Sequence, residues 1–379
     1  MNVFNCRSPY IVSIDNGSTQ IATKLDILMW RVGDLESTAV TKTIEKTKYS
    51  PTQYINYYNI SPFVYDYIDT FNSAELNFGW NVKLIRYSDT GAGYEDIGNE
   101  YLVAVNGYNS YDNPNYYLTT PIAILNTNGT TYNATGYDVN YYYNSNTIPE
   151  IDFIIDYSAT TTTYNFRYTT TAFVTDHYEI YTNEYSIAND GLLRLERQPM
   201  VEAPADGEIV KTVFEILEVP TVGPKDTVYS CTLYANCEQK YNPFALEYVN
   251  RLGGKQTMTL FKNSTQSIEV KASDYNTNTF TNGYPMYDEY LGQKRIFNKN
   301  GSYTIKCNTG WVYEIDNDDI QDVMLSENLL LTYWDNGVEK TNAVTLKNTS
   351  QLMKNSVTDK MINYEFEFEI ASSVINNVV

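Results

Sequence analysis

The octapeptide Asn363-Tyr364-Glu365-Phe366-Glu367-Phe368-Glu369-Ile370 alternates aromatic or aliphatic residues with glutamates over its length. Successive side chains of an extended chain point to opposite faces, so Tyr364, Phe366, Phe368 and Ile370 fill one face and the three glutamates face water. A helix would scatter both sets around its circumference. The same period of two recurs in 23–32, 78–87, 151–157, 208–219, 227–237 and 302–307. Six Asn-Gly pairs, with glycines at 17, 107, 129, 283, 301 and 337, supply residues suited to turns of positive φ. Those at Asn300-Gly301 and Asn336-Gly337 read as tight hairpins. The expected class is mainly β: tandem antiparallel β-sandwich domains of Ig/Fn3-like type with two or three short helices.

Two segments depart from alternation. Residues 243–254 open with Pro243, space Phe244, Leu246, Val249 and Leu252 irregularly and end at Gly253-Gly254, which predicts a short helix with a glycine stop. Residues 316–326 combine an acidic start with a stripe of Ile320, Val323 and Met324, which predicts a second. Between about 106 and 147 lies an Asn/Tyr/Thr/Gly-rich tract with few aliphatics, read as a linker or a set of exposed loops. These features divide the chain into an N-terminal sandwich (1–112), a Tyr/Asn-rich β domain (113–240) and a C-terminal β domain with short helices (241–379).

Function is constrained by what is scarce. The chain has 37 tyrosines but a single histidine, His177, in 379 residues. Tyrosine suits sheet surfaces that are half wet or meet other proteins, whereas histidine is the usual carrier of protons near neutral pH and a common metal ligand. No P-loop, nucleophile elbow, HExxH or Rossmann glycine pattern is present. His177 reads as a strand residue, and Asp316, Asp318 and Asp319 as a helix-start charge, since the glycine of a calcium loop is missing. No catalytic, cofactor-binding or metal-binding residue is assigned, no cofactor is expected, and interface residues are not specified. Trp30, Trp80, Trp311 and Trp334 lie in or beside alternating strands and read as core. The Asn-x-Ser/Thr matches at Asn128, Asn133, Asn263 and Asn348 follow from composition.

Cys6, Cys231, Cys237 and Cys307 read as reduced thiols. On one strand Cys231 and Cys237 would lie about 20 Å apart, beyond disulfide reach. The amino terminus lacks a cationic start followed by an apolar core, and no run approaches the roughly 20 apolar residues of a membrane span, so synthesis and retention in a cytoplasm are expected. With 26 basic and 46 acidic residues the net charge is −20. Such a surface repels phosphate backbones, so sequence-specific nucleic-acid binding is not expected; the charge also keeps a Tyr-rich surface soluble.

The segments RSPYIVSI (7–14), TKLDILMWRVGD (23–34), YNISPFVYDYID (58–69) and YLVAVNGY (101–108) resemble the opening sandwich of virion structural proteins from tailed phages of Bacteroidales, the crAss-like podovirus group. The stretches 244–263, 307–331 and 361–371 are similar in style to the carboxy-terminal part of those proteins, while 113–240 has no counterpart. The resemblance implies a non-enzymatic virion component located in the tail, a hub or ring subunit lining part of the genome-ejection channel. It implies a homo-oligomeric ring of six or twelve copies that contacts other phage tail proteins. A negative channel wall would keep passing DNA from sticking. The alternatives are a glycan-binding receptor protein or tail fibre component, with tryptophans stacking on sugars, and a glycan-cleaving tail enzyme that uses two carboxylates.

Overall fold

The computed structural model describes residues 2–375 apart from 16, 18, 33, 51, 69–78, 110–121, 127–129, 132–139, 144–147, 157–161, 188–192, 203–206, 236–239, 278–279, 282–283, 286–292, 314–316, 336, 349, 351–360 and 373. The chain is mainly β, built from tandem β-sandwiches, with two short α-helices among the described residues. It divides into two compact units, Met1–Cys237 with Tyr248–Met258, and Glu238–Glu247 with Thr259–Val379. Residues 1–112 and 113–237, which the sequence separates, fall together in the first unit. No helix among the described residues is long and apolar enough to cross a membrane.

The first sheet of unit 1 runs in the order Val3–Asn5, Tyr94–Val105, Trp80–Asp89, Ala22–Arg31, Val40–Thr47. Its first pair is parallel and the others antiparallel. Alternation in Ala22–Arg31 and Trp80–Asp89 turns Leu25, Ile27, Met29, Trp80, Val82 and Leu84 to one face, where all are fully buried. The pair Ile11–Asp15 and Ile55–Asn59 and the helix Ser61–Ile68 contribute to the same core. That helix was not anticipated from the sequence. Its signal was local: Ser61 precedes Pro62, which suits a first helical turn, and Val64 and Ile68 are buried. The Ser61 hydroxyl donates to the Ser8 carbonyl (2.5 Å) and accepts from the Tyr10 amide (2.9 Å).

The second sandwich of unit 1 encloses Ile151, Phe153, Ile155, Phe166, Phe214 and Tyr229. One layer is the sheet Asn140–Tyr143, Asp226–Ala235, Glu208–Val219, Thr163–Val174, His177–Ser186; the other is Leu193–Pro199, Glu150–Asp156, Ile122–Ile124. Asn140–Tyr143 runs parallel to Asp226–Ala235, a departure from a purely antiparallel plan. The strands at 122–124, 130–131 and 140–143 fall inside the tract read as linker or loops, and Ile122 and Ile124 are buried. The rest of that tract from 110 onward lies largely outside the described residues. Cys231 is a buried, reduced thiol in Asp226–Ala235, while Cys237 lies outside the described residues.

Glu150–Asp156 is covered on both faces, which explains its near-continuous apolar run. Opposite Ile151, Phe153 and Ile155, its Ile154 packs with Val3, Val103, Val105 and Leu125. On that side lies Asp152, whose side chain is 1% exposed. Its carboxylate accepts from Arg197 Nε (2.6 Å), Arg197 Nη2 (2.9 Å) and the Lys255 amide (2.9 Å). Burial pulls the Arg197 pKa down, but the hydrogen bonds and charge of Asp152 outweigh it and leave the guanidinium above its ordinary value. Burial, reinforced by Arg197, lowers the Lys255 ammonium.

The segment 243–254 is a strand, Phe244–Val249, followed by a turn, and not the expected helix. Its irregular apolar spacing reflects burial on both faces. Asn250 builds the turn: its Oδ1 accepts from the Leu252 and Gly254 amides (3.0 and 3.1 Å), and its Nδ2 donates to the Leu125 carbonyl (2.9 Å). Gly253 has φ +82°, and a Cβ on Gly254 would lie 1.9 Å from the Leu125 oxygen, so the Gly-Gly pair serves a turn and a close approach.

The carboxy-terminal sheet runs Lys255–Leu260, Phe244–Val249, Leu329–Asp335, Val338–Leu346, Met361–Ile370, Lys294–Tyr313, Thr265–Asn276. Tyr364, Phe366, Phe368 and Ile370 are buried as the alternation requires. The second expected helix is present as Asn317–Leu325. Strand pairing Asp335 to Val338 makes the hairpin expected at 336–337, with Gly337 at φ +80°. Gly301, expected in a hairpin turn, instead lies within Lys294–Tyr313. It is paired with Val270 on one side and Val374 on the other, so flanking strands hold it extended.

Two stability outcomes follow from this packing. Phe366→Ala or Phe368→Ala should each lower unfolding free energy by about 3–5 kcal/mol, while Glu367→Ala, whose side chain pairs in solvent with Lys306 and Lys347, should cost under about 1 kcal/mol. Asp152→Ala should cost about 3 kcal/mol because it strips Arg197 of its partner. Denaturant titration measures both; equal small losses at 366, 367 and 368 would contradict the burial assignment.

Candidate assembly surface

Among the described residues His177, the acidic cluster near 318 and the cysteines lie in separate places. His177 begins an exposed strand, directly after Thr175 and Asp176, the turn residues of the hairpin that pairs Val174 with His177. Its Nδ1 lies 3.0 Å from Asp176 Oδ1 and its Nε2 2.9 Å from Glu179 Oε1. Both ring nitrogens are thus engaged by carboxylates on an open surface. Hydrogen bonds to Asp176 and then Glu179 raise the imidazole pKa, while Tyr181 and then His177 lower that of Glu179.

Asp318 and Asp319 occupy the first turn of Asn317–Leu325, as a helix-start charge should; Asp316 lies outside the described residues. Among the described residues no group of three or more His, Cys, Asp or Glu is arranged to hold a metal ion. Cys6, Cys231 and Cys307 are buried thiols, and burial pushes Cys307 up to about 12, far from nucleophilic thiolate chemistry. An open groove of about 530 Å³ lies among Glu45, Tyr49, Gln53, Asn56 and Tyr57. Among the described residues Glu45 is the one carboxylate lining it, where glycoside cleavage needs a pair.

Surface apolar groups are the more distinctive feature. Trp30 and Trp80 are core as expected, but Trp311 is 60% and Trp334 38% exposed, which corrects the core reading for those two. A bulge between Asn308 and Trp311, with Gly310 at φ +74°, breaks the alternation just before Trp311.

One such feature is a two-stranded ribbon. Thr265–Asn276 pairs along its length with Lys294–Lys306, and every residue of Thr265–Asn276 is exposed. Nearer the core, Met361–Ile370 pairs with Lys294–Tyr313 only from Thr304 onward, and Val374–Ile375 reaches Asn300 and Gly301. Among the described residues, Lys294–Lys299 therefore pair with Thr265–Asn276 alone. Cys307 and Ile305, in the part of the strand that also pairs with Met361–Ile370, are buried. The same face continues outward through Ile268 and Val270, each 53% exposed. On the opposite face Tyr275 packs against Phe297 with ring centroids 6.2 Å apart. Phe297, the extra residue of a bulge opposite Ser273 and Asp274, remains 62% exposed. Both faces thus present apolar side chains to water. Residue order alone does not reveal this, because alternation specifies that a face is apolar and not what covers it.

No known protein family matches the chain, and no curated protein matches it. Among solved structures, it is similar to CBD12 from CALX1.2, at 8% identity over 58% of this chain and 78% of that one, with a TM-score of 0.16. It is also similar to the calcium-binding domain CBD12 of CALX1.1, at 8% identity over 62% and 96%, with a TM-score of 0.17. Likeness at that level carries no argument about ligands.

His177 should titrate above its ordinary midpoint of about 6.5, and Asp176→Asn with Glu179→Gln should return it there. The sign is that of a raised cationic group: its contribution to stability is full below the ordinary value and is lost as pH rises through the folded value. NMR titration of the single imidazole reads this directly; a midpoint at or below 6.5 in the native protein would contradict the two carboxylate contacts.

Proposed function

We propose that the chain is a non-enzymatic structural subunit of a tailed-phage virion, a tail hub or ring protein that forms part of the genome-ejection channel. The observation that carries this reading is the ribbon of Thr265–Asn276 and Lys294–Lys306, which leaves apolar side chains exposed on both faces. A two-stranded hairpin is marginal in water, and contiguous apolar exposure marks surfaces that bind other proteins. The likeness of residues 7–14, 23–34, 58–69 and 101–108 to phage virion proteins supplies the setting. The dispersed histidine and thiol chemistry is compatible with it. A charge of −20 suits a channel wall that passes DNA without holding it.

Exposed Trp311 and Trp334 support a second reading, a glycan-binding receptor protein at a fibre tip, since indole faces stack on sugars. One experiment separates the two. Cryo-EM of purified particles should place the chain in six or twelve copies around the tail axis with acidic surface toward the channel. A peripheral trimer whose binding to host glycans is lost on Trp311→Ala would overturn the ring assignment.

A further inference from the structure

Among the described residues two long sheet edges, one of them interrupted by a bulge near its end, carry little of the usual protection. Edge strands expose unpaired backbone amides and carbonyls, and proteins blunt them with lysines, prolines or bulges. Val40–Thr47, at the edge of the first sheet, has Lys42 and Lys46. His177–Ser186 and Thr265–Asn276 are different. The first is a 10-residue edge with no lysine, arginine or proline. The second is a 12-residue edge with a single lysine and no proline. Both present apolar side chains to solvent, Tyr178 and Ile180 at 66% and 70% exposure on one, Ile268 and Val270 on the other.

Their charges are opposite. The ribbon Thr265–Asn276 with Lys294–Lys306 contains Lys271, Lys294, Arg295, Lys299 and Lys306 against Glu269 and Asp274, so its net charge is 5 − 2 = +3 within a chain of −20. Lys294 pairs with Asp274, Lys306 with Glu367, and Glu269 with Lys347. That leaves Lys271, Arg295 and Lys299 without an ion-pair partner among the described residues. The other edge, with its turn residue, carries Asp176, Glu179 and Glu184 and no lysine or arginine; Glu184 is paired with Lys225, and Asp176 and Glu179 share His177. Pairing His177–Ser186 with its own copy would set acids against acids; on Thr265–Asn276 the acids Glu269 and Asp274 are held by Lys347 and Lys294, so this edge offers an acidic partner Lys271, with Arg295 and Lys299 on the strand behind it.

Resting on the reading of this chain as an assembly subunit, we propose that the edge Thr265–Asn276 of one copy adds as a strand to the edge His177–Ser186 of a second copy. Backbone hydrogen bonds supply affinity, and the cationic ribbon against the acidic edge supplies partner choice. Two unlike patches make the contact heterologous, so copies follow head to tail and close into a ring when the rotation permits.

The test uses full-length chains in which Cys237→Ser leaves only buried native thiols among the described residues. Chains with Ile180→Cys and chains with Val270→Cys are mixed and treated with a short bis-maleimide, and adducts are identified by mass spectrometry. The mixed 180–270 adduct should dominate over either self-adduct. Lys271→Glu with Arg295→Glu and Lys299→Glu should reduce it about tenfold, the scale of three exposed ion pairs. Adding Asp176→Lys and Glu179→Lys to the partner chain should restore it, with circular dichroism confirming that each variant is folded. Absence of the mixed adduct, self-adducts of equal yield, or insensitivity to charge reversal would overturn the pairing. Presence in purified particles is scored separately. A chain found in particles without the mixed adduct defeats the edge pairing alone, and a chain absent from particles defeats the virion reading.

Discussion

Much of unit 1 depends on the buried carboxylate of Asp152. A charge with 1% exposed side chain survives only if its lone pairs are met, and here a bidentate arginine and a backbone amide meet them. Those partners come from separate places in the chain: Arg197 from the neighbouring strand and Lys255 from the start of the strand Lys255–Leu260, just after the turn that follows Phe244–Val249. Asn250 in the same turn bonds the Leu125 carbonyl, and Leu125 packs with Ile154, so the carboxylate, the turn and a small apolar cluster fix one another. Glycine at 254 is required because the Leu125 oxygen occupies the space a Cβ would take.

Satisfaction of that kind is absent at the ribbon. The alternation that buries Ile305 and Cys307 continues into Ile268 and Val270 beyond the strands that would cover them. A surface so arranged lowers its free energy by meeting another protein, and reactive groups are not needed for that. The proposed role in a virion ring and the proposed pairing of unlike edges both rest on this incompleteness. They place the chemistry of the molecule in backbone hydrogen bonds, apolar contacts and charge complementarity between copies.

Tyrosine shows how one composition serves both settings. Tyr58 is buried and shares a 2.6 Å hydrogen bond with Thr23; Tyr168, bonded to the Pro199 carbonyl, is pushed up to about 12 by burial and then by Glu202. Tyr178 and Tyr275 remain on open strands. An aromatic body with a polar tip tolerates either position.

The sequence by itself determined the mainly β class, the strand faces at Ala22–Arg31, Glu208–Val219 and Met361–Ile370, the hairpin at 336–337 and the helix Asn317–Leu325. Each follows from the two-residue repeat of extended backbone or from local turn and helix-start preferences. Tertiary structure decided that Phe244–Val249 is a strand, because burial on both faces erases alternation, and that Gly301 stays extended, because strands flank it. It also decided which apolar faces are core and which are open, as at Trp311, Ile180 and Val270. The physical reason is common to these cases: periodicity assigns a side chain to a face, and only the neighbouring chain, brought in from far along the sequence, determines whether that face meets protein or water.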